Sequence, residues 1–234
     1  MINHLTQSAL YAMTASITIV SLAFLMFFIA EPAISHGQND TATFYIRQQI
    51  TDETSFLVDP TDVTMAGGIN GVTGGNATGT TQFVVTTNNT AGYRVDIAYE
   101  DLDTDGEAML GDASGDNAIR DYDGDVVGEP SYNWTASTAA QFAYSVSASN
   151  TPDADQSFKS NGTNACNTGS TDAGGLNCWK APDTAPFTII DRGSSAVTGA
   201  TSTIFFKIVV PSAATPVPQA ETYTATATLS LYAN

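Results

Sequence analysis

Basic residues are scarce in this chain. Seven lysines and arginines stand against 24 aspartates and glutamates, which gives a formal net charge of −17 at pH 7. A surface with this balance repels phosphate backbones and anionic lipids, so the composition argues against nucleic acid as a partner. Cations are the expected ligands of such a surface.

Histidine is almost missing, since His4 and His36 are the two histidines of the sequence. Beyond position 36 the usual general base for serine and cysteine nucleophiles is therefore lacking. Paired carboxylates could still perform glycosidase chemistry, but no aromatic-lined arrangement singles out one pair. The sequence predicts that the protein is not an enzyme.

Cysteine occurs twice, at Cys166 and Cys178, within the stretch ACNTGSTDAGGLNCW that is rich in glycine, asparagine and threonine. Zinc normally takes four ligands and no histidine is near, so a disulfide is favoured over a two-cysteine metal site. In the chain-entropy model a closed loop of this size contributes about 3 kcal/mol. The pair indicates an exported protein.

Long hydrophobic runs are limited to one, from Ser8 to Ala30, and it contains no charged residue. About 20 apolar residues suffice to cross the hydrocarbon core as a helix. A secretory signal has a similar apolar middle, and Ala33 and Ser35 supply small residues for cleavage. Against a plain signal, no lysine or arginine precedes the run, and the run is long. Two fates stay open for residues 1–35: a cleaved signal peptide, or a retained helix that crosses a membrane through residues 8–30 or packs in a filament core.

Helical periodicity is lacking after position 36, and short strand-like runs bounded by glycine, asparagine and proline replace it. Thr41–Ile50 places Phe44 and Ile46 on one face and Tyr45 on the other, which is typical of an edge strand. Thr80–Thr87 and Gly92–Tyr99 are predicted to pair as a hairpin, because only a short link separates them.

Several further segments complete this pattern. The apolar run Thr203–Val210 favours a central strand covered on both faces. Thr222–Ala233 alternates strictly and is predicted to be one strand. The remaining expectations are extended pieces at Ser55–Val58 and Val63–Met65, a flexible turn at Gly67–Gly75, strands at Ala139–Ala148 and Phe187–Ile190, and a short helix at Thr151–Asp155.

Eight or more short strands with little helix predict an all-β fold. The expected architecture is an antiparallel β-sandwich, Ig-like or jelly-roll-like, preceded by one N-terminal hydrophobic helix. Residues 36–234 are long enough to form a single such domain. We expect it to carry an acidic insertion at residues 100–129 and a disulfide loop at residues 166–178.

The acidic insertion holds, together with Asp96, twelve of the 24 acidic residues. It contains the D-x-D-x-D-G spacing that wraps carboxylate oxygens around calcium, with Gly106 permitting the sharp turn. The predicted Ca²⁺ ligands are Asp101, Asp103, Asp105, Glu107 and Asp112, with Asp121, Asp123 and Asp125 as a second site or as additional ligands. Two features depart from an EF-hand, because the twelfth position is aspartate and the preceding element is a strand. The alternative is a solvated acidic loop that protects a sheet edge.

Lys207 lies among apolar residues within a predicted strand. The favoured interpretation is a lysine that extends from a sheet edge and keeps its ammonium group in water. A Lys–Asn cross-link of the kind found in pilus subunits is the alternative. Trp134 and Trp179 are expected to serve core or loop packing.

The N-terminal apolar segment, the run GGINGVTGGNATGTTQFVVTTNNTAGYRVDIAY, the cysteine loop and the ending ETYTATATLSLYAN together resemble a group of exported bacterial surface proteins, many from small-genome candidate phyla. More distantly, the layout is similar to the β-sandwich fibre subunits of biofilm matrices, the camelysin type, and of archaeal surface threads. The resemblance implies assembly by donation of an N-terminal strand into the groove of the next subunit. Thr41–Ile50, with Phe44, Tyr45, Ile46 and Ile50, is then the assembly strand.

The function expected from the sequence is therefore that of a non-enzymatic, secreted structural protein of the cell surface. It would be a subunit of a homopolymeric extracellular filament or pilus, joined by strand donation or by packing of the N-terminal helix. A pilin-like helical core requires retention of Ser8–Ala30, although no glutamate lies near the N-terminus. The alternative is a membrane-anchored, calcium-dependent adhesin or binding module.

Overall fold

The computed structural model describes residues 4–29, 42–100, 107–113, 117–124, 130–136, 138–172 and 175–234. The chain divides into two compact units, Met1–Gln49 and Ile50–Asn234. The described residues are mostly β, with one long N-terminal helix, thirteen strands and two short 3-10 turns.

The first unit contains helix α1, His4–Ile29, as the apolar run predicts. Its polar hydroxyls are satisfied inside the helix, since Ser16 donates to the Ala12 carbonyl at 2.8 Å and Thr18 to the Thr14 carbonyl at 2.7 Å. Residues Gln7–Phe27 are long and apolar enough to cross a membrane, and a signal sequence near an N-terminus passes the same test.

The strands of the second unit lie between Thr54 and Ala233. In chain order they are β1 Thr54–Val58, β2 Ile69–Asn70, β3 Gly74–Thr87, β4 Tyr93–Tyr99, β5 Met109–Gly111, β6 Ala118–Asp121, β7 Ser131–Tyr132, β8 Gln141–Ala148, β9 Cys178–Trp179, β10 Phe187–Arg192, β11 Ala196–Val210, β12 Tyr223–Ala225 and β13 Ala227–Ala233. The 3-10 turns are Thr151–Asp153 and Gln156–Phe158. Pro152 begins the first of them, at the segment where a short helix is predicted.

The larger sheet has the strand order β1-β3-β11-β8-β6-β5-β12, with β2 also paired to β3. Its pairs are antiparallel except for β6 with β8, which are parallel. Strand β11 lies between β3 and β8, and its register with β3 runs from Thr201 opposite Val84 to Val210 opposite Gly75. The central position predicted for residues 203–210 is confirmed.

The smaller sheet has the order β10-β4-β13, and a separate two-stranded ribbon joins β7 to β9. One hydrophobic core contains residues of both sheets. Phe83, Val85, Phe142 and Ile204 come from the larger sheet, and Val95, Ile97, Ile189 and Leu229 come from the smaller one. Burial of alternate apolar side chains along both sets of strands is the main stabilising contribution to this unit.

The predicted hairpin between residues 80–87 and 92–99 is wrong. Strand β3 pairs with β1 and β11, whereas β4 pairs with β10 and β13 in the other sheet. The link between them turns at Gly92, which has a φ of +88° and lies against the Arg192 carbonyl. The chain therefore crosses between sheets here, because each strand finds a long partner elsewhere.

The C-terminal run is not one strand either. It breaks at Thr226 into β12, which pairs with β5 in the larger sheet, and β13, which pairs with β4 in the smaller sheet. The Thr226 carbonyl accepts a hydrogen bond of 3.0 Å from the Glu100 amide. The strict alternation continues through the break, which is why sequence periodicity does not reveal it.

Three smaller expectations also change. The described residues 42–50 form no strand within the chain, so the edge strand predicted at Thr41–Ile50 is not observed over these residues. Val63–Met65 is not a strand, although Ala66 forms an isolated bridge with Thr78. The glycine-rich stretch 67–75 is more ordered than a flexible turn, because it contains β2 and the start of β3, which pair with each other.

Candidate functional site

The most prominent feature of the second unit is a large apolar cavity with an open side, here called the interior groove. Its volume is about 1200 Å³. The floor is made of core residues from both sheets, among them Ile97, Phe142, Ile204 and Ile208. Since protein interiors are close-packed and pockets for small ligands reach about 1,000 Å³, a space of this size lies beyond an ordinary packing defect.

Two segments form the rims of the interior groove. The first rim is residues 60–70, which follow β1, and the second is residues 219–229, which contain β12 and the start of β13. The rims meet where Gly71 passes the Pro218 carbonyl so closely that an added Cβ would lie 2.6 Å from its oxygen. Strands β1 and β13 also approach each other, with Cα atoms within 8 Å.

Small side chains on the second rim explain why the core is not filled there. Ala225 and Ala227 occupy the face of β12 and β13 that lines the groove, next to Leu229. A larger apolar side chain at either position would fill part of the cavity. Sequence reasoning missed this site, although alanines among the inward positions of the alternating run 222–233 were a visible signal.

The second rim belongs to sheet edges, and the first rim follows one, β1. Among the strands that the structure describes, β13 pairs with β4 alone and β12 with β5 alone. Likewise β1 has β3 as its one partner in the described part of the chain. Edge strands present main-chain donors and acceptors to any further strand that arrives. The groove is therefore bordered on one side by edge strands, β12 and β13, whose backbone has one partner strand each in the described part of the chain.

The second rim is fastened to the acidic insertion. Glu221 accepts hydrogen bonds from the Ala113 amide at 2.9 Å and from the Asn117 side chain at 3.0 Å. The Asp112 amide donates to the Thr222 carbonyl at 2.9 Å. This network of hydrogen bonds fixes the position of β12 beside β5 and therefore stabilises the second rim.

The predicted assembly segment has the opposite character, since it is apolar and exposed. Phe44, Tyr45, Ile46 and Ile50 are 77–87% exposed. No strand includes any of the described residues 42–50. The segment carries Arg47 and no acidic residue, in a chain of net charge −17. Exposed aromatic and aliphatic side chains in succession are typical of an interaction surface.

The predicted calcium ligands do not form a complete site in the described part of the chain. Asp101, Asp103, Asp105 and Asp125 lie outside the described residues. No group of three or more histidine, cysteine, aspartate or glutamate side chains among the described residues is arranged to hold a metal. The calcium hypothesis thus stays a prediction from sequence spacing.

Two described acids of the insertion, Asp121 and Asp123, accept hydrogen bonds within the fold. Asp121, at the end of β6, accepts a hydrogen bond from the Ala108 amide at 3.1 Å. Asp123 accepts one from the Gln141 side chain at 2.7 Å. Asp112 is exposed and Glu107 is half-buried. Asp121 also lines a small polar cavity of about 140 Å³ with Tyr99 and Asp183, and burial raises the pKa of the Tyr99 hydroxyl well above 10.

The predicted disulfide is present between Cys166 and Cys178, with Cα atoms 5.7 Å apart. Cys178 is buried at the start of β9, and its neighbour Trp179 lies in a second core cluster. The bond ties the glycine-rich loop to this cluster, and it indicates a non-reducing compartment.

Lys207 does not extend from an edge, because β11 is central. Its ammonium group donates to the Trp134 carbonyl at 3.0 Å and lies 5.2 Å and 5.3 Å from the ring centres of Trp134 and Trp179. Burial lowers the pKa of this lysine from 10.5. The aromatic rings offset part of the cost of removing the charge from water. The packing role predicted for both tryptophans is confirmed.

No protein-family model matches the chain, and comparisons with curated proteins and with solved structures find no match either. The likeness to exported surface proteins therefore rests on the sequence patterns alone.

Proposed function

We propose that the chain is a non-enzymatic structural protein of the cell surface, a subunit of an extracellular filament or pilus that assembles with copies of itself. Residues 42–50 of one copy join the β fold of the next as an added strand. We infer that the two sheets of this fold constitute a β-sandwich. The observation that carries the proposal is the exposure of an alternating apolar segment that pairs with nothing in the described part of its own chain.

The energetic argument favours association through this segment. Phe44, Ile46 and Ile50 share one face of an extended chain, since side chains of even-numbered positions project together. Burial of each such side chain contributes about 2 kcal/mol. A strand added to an open sheet edge also gains main-chain hydrogen bonds. When a partner covers the segment, these contributions together exceed the conformational entropy that the segment loses on becoming ordered. Without a partner they are not gained.

The compartment agrees with this role. An N-terminal apolar helix is consistent with a signal or membrane segment, and the disulfide indicates a non-reducing environment. A location outside the cell would supply both conditions. If helix α1 is retained, it anchors the chain in the membrane or packs against copies of itself in a filament core.

The test is assembly of the full chain and of a deletion variant that lacks residues 36–50. The full chain is expected to form filaments under negative stain and ladders on gels, and the deletion variant is expected to stay monomeric. N-terminal mass of native material shows in the same preparation whether residues 1–35 are retained. Filaments that persist after the deletion would rule the proposal out.

A matched pair of triple variants tests whether assembly requires the apolar face of the segment or only its presence. Replacing Phe44, Ile46 and Ile50 with serine is expected to abolish assembly. Replacing Tyr45, Arg47 and Gln49 with serine alters the other face and is expected to preserve it. Equal loss in both variants would contradict strand-like insertion, because a strand buries one face more than the other.

We also propose Ca²⁺ as a ligand of the acidic insertion. The support is the D-x-D-x-D-G spacing and the accumulation of negative charge in that segment. Its role in a filament subunit would be to stabilise the fold beside β5 and β12.

A further inference from the structure

Five asparagines of the chain stand in the motif Asn-X-Ser/Thr, with X other than proline, which is the acceptor motif for N-linked sugars in exported proteins. They are Asn39, Asn76, Asn88, Asn133 and Asn161, and each is followed two positions later by threonine. The disulfide and the N-terminal apolar helix are both consistent with export. The motif alone does not distinguish the five asparagines, but their places in the fold do.

Two of the five acceptor motifs are held by β3 and by the link that follows it, and Asn39 lies outside the described residues. Asn76 lies within β3, whose backbone pairs with β11 at this position. The side chain of Asn88 is fully engaged, since Oδ1 accepts a 2.7 Å hydrogen bond from the Glu53 amide and Nδ2 donates to the Thr51 carbonyl at 3.1 Å. A transferase that drew either segment into its active site would have to break these hydrogen bonds.

Asn133 is exposed, but its motif runs through the second core cluster. The residue between Asn133 and its threonine is Trp134, which is buried and whose carbonyl accepts a 3.0 Å hydrogen bond from Lys207. The backbone amide of Asn133 also donates to the Asn177 carbonyl at 2.9 Å. This segment cannot leave the fold without exposing the tryptophan, which is unfavourable.

Asn161 has the opposite position, at the tip of a loop that projects from the fold. Residues 161–164 are all exposed. A Cβ added at Gly162 would have no atom within 4 Å, so the middle of the motif is surrounded by open space. The base of the tip is closed by a bridge between Ser160 and Cys166. The tip can therefore enter an enzyme while both sheets stay intact.

The side chain of Asn161 is arranged so that a sugar can be added without loss of the turn. Its Oδ1 accepts hydrogen bonds from the amides of Thr163, Asn164 and Ala165 at 2.9, 2.9 and 3.1 Å. Its Nδ2 donates one hydrogen bond, to Asn164 Oδ1 at 3.1 Å. A side-chain amide nitrogen carries two hydrogens, so one remains for replacement. The turn that Oδ1 stabilises is kept in the modified chain.

From these relationships we infer that Asn161 is a site of N-linked glycosylation. The donor is an oligosaccharide joined through phosphate to a lipid, and a transferase of the producing cell catalyses the step. Nδ2 forms a bond to the anomeric carbon of the first sugar. The bond from that carbon to the phosphate oxygen breaks, its electron pair leaves with the phosphate, and the proton displaced from Nδ2 passes to a base of the transferase. The inference goes beyond the proposed filament role and does not depend on it.

Peptide mapping of the full chain, isolated from the cells that produce it, tests the assignment. Fragmentation that keeps the sugar attached locates it on a particular residue, so no enzymatic release is needed. A peptide that carries sugar on Asn161 is expected, together with unmodified peptides for Asn76, Asn88 and Asn133. Unmodified Asn161 throughout the preparation overturns the inference.

Matched variants made in the same cells test whether the motif is what the cell recognises. Thr163→Val removes the motif and leaves Asn161 in place, whereas Thr163→Ser preserves the motif. Asn161→Asp keeps an oxygen for the three backbone amides and removes Nδ2. The sugar is expected to be lost in Thr163→Val and in Asn161→Asp and to remain in Thr163→Ser. Sugar that persists at residue 161 in Thr163→Val contradicts N-linked transfer.

The remaining outcomes separate this inference from the filament role. Equal modification of Asn76, Asn88 and Asn133 would show that the fold does not select the acceptor, and it would overturn the argument for Asn161. Filaments built from chains with unmodified Asn161 would overturn the glycosylation site and leave the filament role standing. Modified chains that stay monomeric would support the site and contradict the filament role.

Discussion

Arg192 donates a 2.6 Å hydrogen bond from Nη1 to Asp153 Oδ2, and both side chains are at least four-fifths buried. The pair joins β10 of the smaller sheet to the 3-10 turn after β8 of the larger sheet. Arg192 also donates to the carbonyls of Ser194 and Ser195. Little of either charged group remains available to water.

Arg192→Met is therefore expected to destabilise the fold by about 3 kcal/mol, because Asp153 would be left buried without its partner. The measurement is the free energy of unfolding in urea. Arg94→Met is the matched control, since Arg94 also pairs with an aspartate, Asp96, but is 44% exposed. The control is expected to lose less than about 1 kcal/mol. Equal losses would show that burial of the first pair is unimportant.

Reduction of the Cys166–Cys178 disulfide is expected to lower stability by about 3 kcal/mol, because the twelve-residue separation closes a moderate loop. The double variant Cys166→Ser with Cys178→Ser is expected to melt at the same lower temperature with or without reductant. Wild-type protein should reach that temperature when reductant is added. A wild-type melting curve insensitive to complete reduction contradicts the prediction.

Alkaline pH is expected to destabilise the fold through its buried tyrosines. Burial and the nearby Asp153 carboxylate raise the pKa of Tyr93 to about 12 from 10.0. The folded chain thus keeps a proton that the unfolded chain loses, so stability present below pH 10 is lost between about pH 10 and 12. Tyr93→Phe should reduce this decline, measured by urea unfolding across that range.

The control for this titration is Tyr232→Phe, at a tyrosine that is 45% exposed. It is expected to leave the decline as in the wild type. Tyr99 and Tyr144 also have pKa values raised by burial, so part of the decline should persist in Tyr93→Phe. An identical decline in wild type and Tyr93→Phe would remove Tyr93 from the explanation.

Lys207 is expected to behave as a half-buried cation whose charge is partly desolvated. Because burial lowers its pKa, the unfolded chain binds this proton more tightly, so stability rises with pH from the lowered value towards 10.5. Lys207→Met keeps the apolar stem and removes the charge, and it should match or exceed wild-type stability at pH 7. Lys207→Ala removes the stem as well and should be destabilising. Thermal unfolding of both variants gives the comparison.

Calcium removal provides the test of the acidic insertion. If Asp101, Asp103 and Asp105 bind Ca²⁺, a chelator should lower the melting temperature and added Ca²⁺ should restore it. A variant with these three residues changed to asparagine should melt at the same temperature in both conditions. An unchanged wild-type melting curve in the presence of chelator would contradict the calcium hypothesis. Metal analysis of the same sample measures whether Ca²⁺ remains bound after the chelator has been added.

Local sequence patterns located most strands correctly but not their partners. The apolar run 203–210 indicates a strand covered on both faces, and β11 is central in the larger sheet. Strands β3 and β4 are also where the patterns place them, yet they lie in different sheets. Alternation reports which face of a strand is buried, whereas pairing depends on residues far apart in sequence.

The candidate site shows the same limit. The assembly segment could be proposed from its alternation and apolar side chains, because these are local properties. The groove could not, since its floor combines Ile97, Phe142 and Ile204 from three distant strands. Its second rim depends on the break between β12 and β13 at Thr226, and the alternation of the sequence does not change at that residue. A space between elements has no sequence pattern of its own.

Thr226 joins β12 of the larger sheet to β13 of the smaller sheet with a single residue. The backbone of this one residue is therefore a direct covalent link between the two sheets. Its carbonyl accepts a 3.0 Å hydrogen bond from the Glu100 amide, which extends the β4–β13 ladder of the smaller sheet by one residue. Exchange of the Glu100 amide proton with solvent deuterium is expected to report how often β13 separates from β4 next to the point where the chain passes between the sheets.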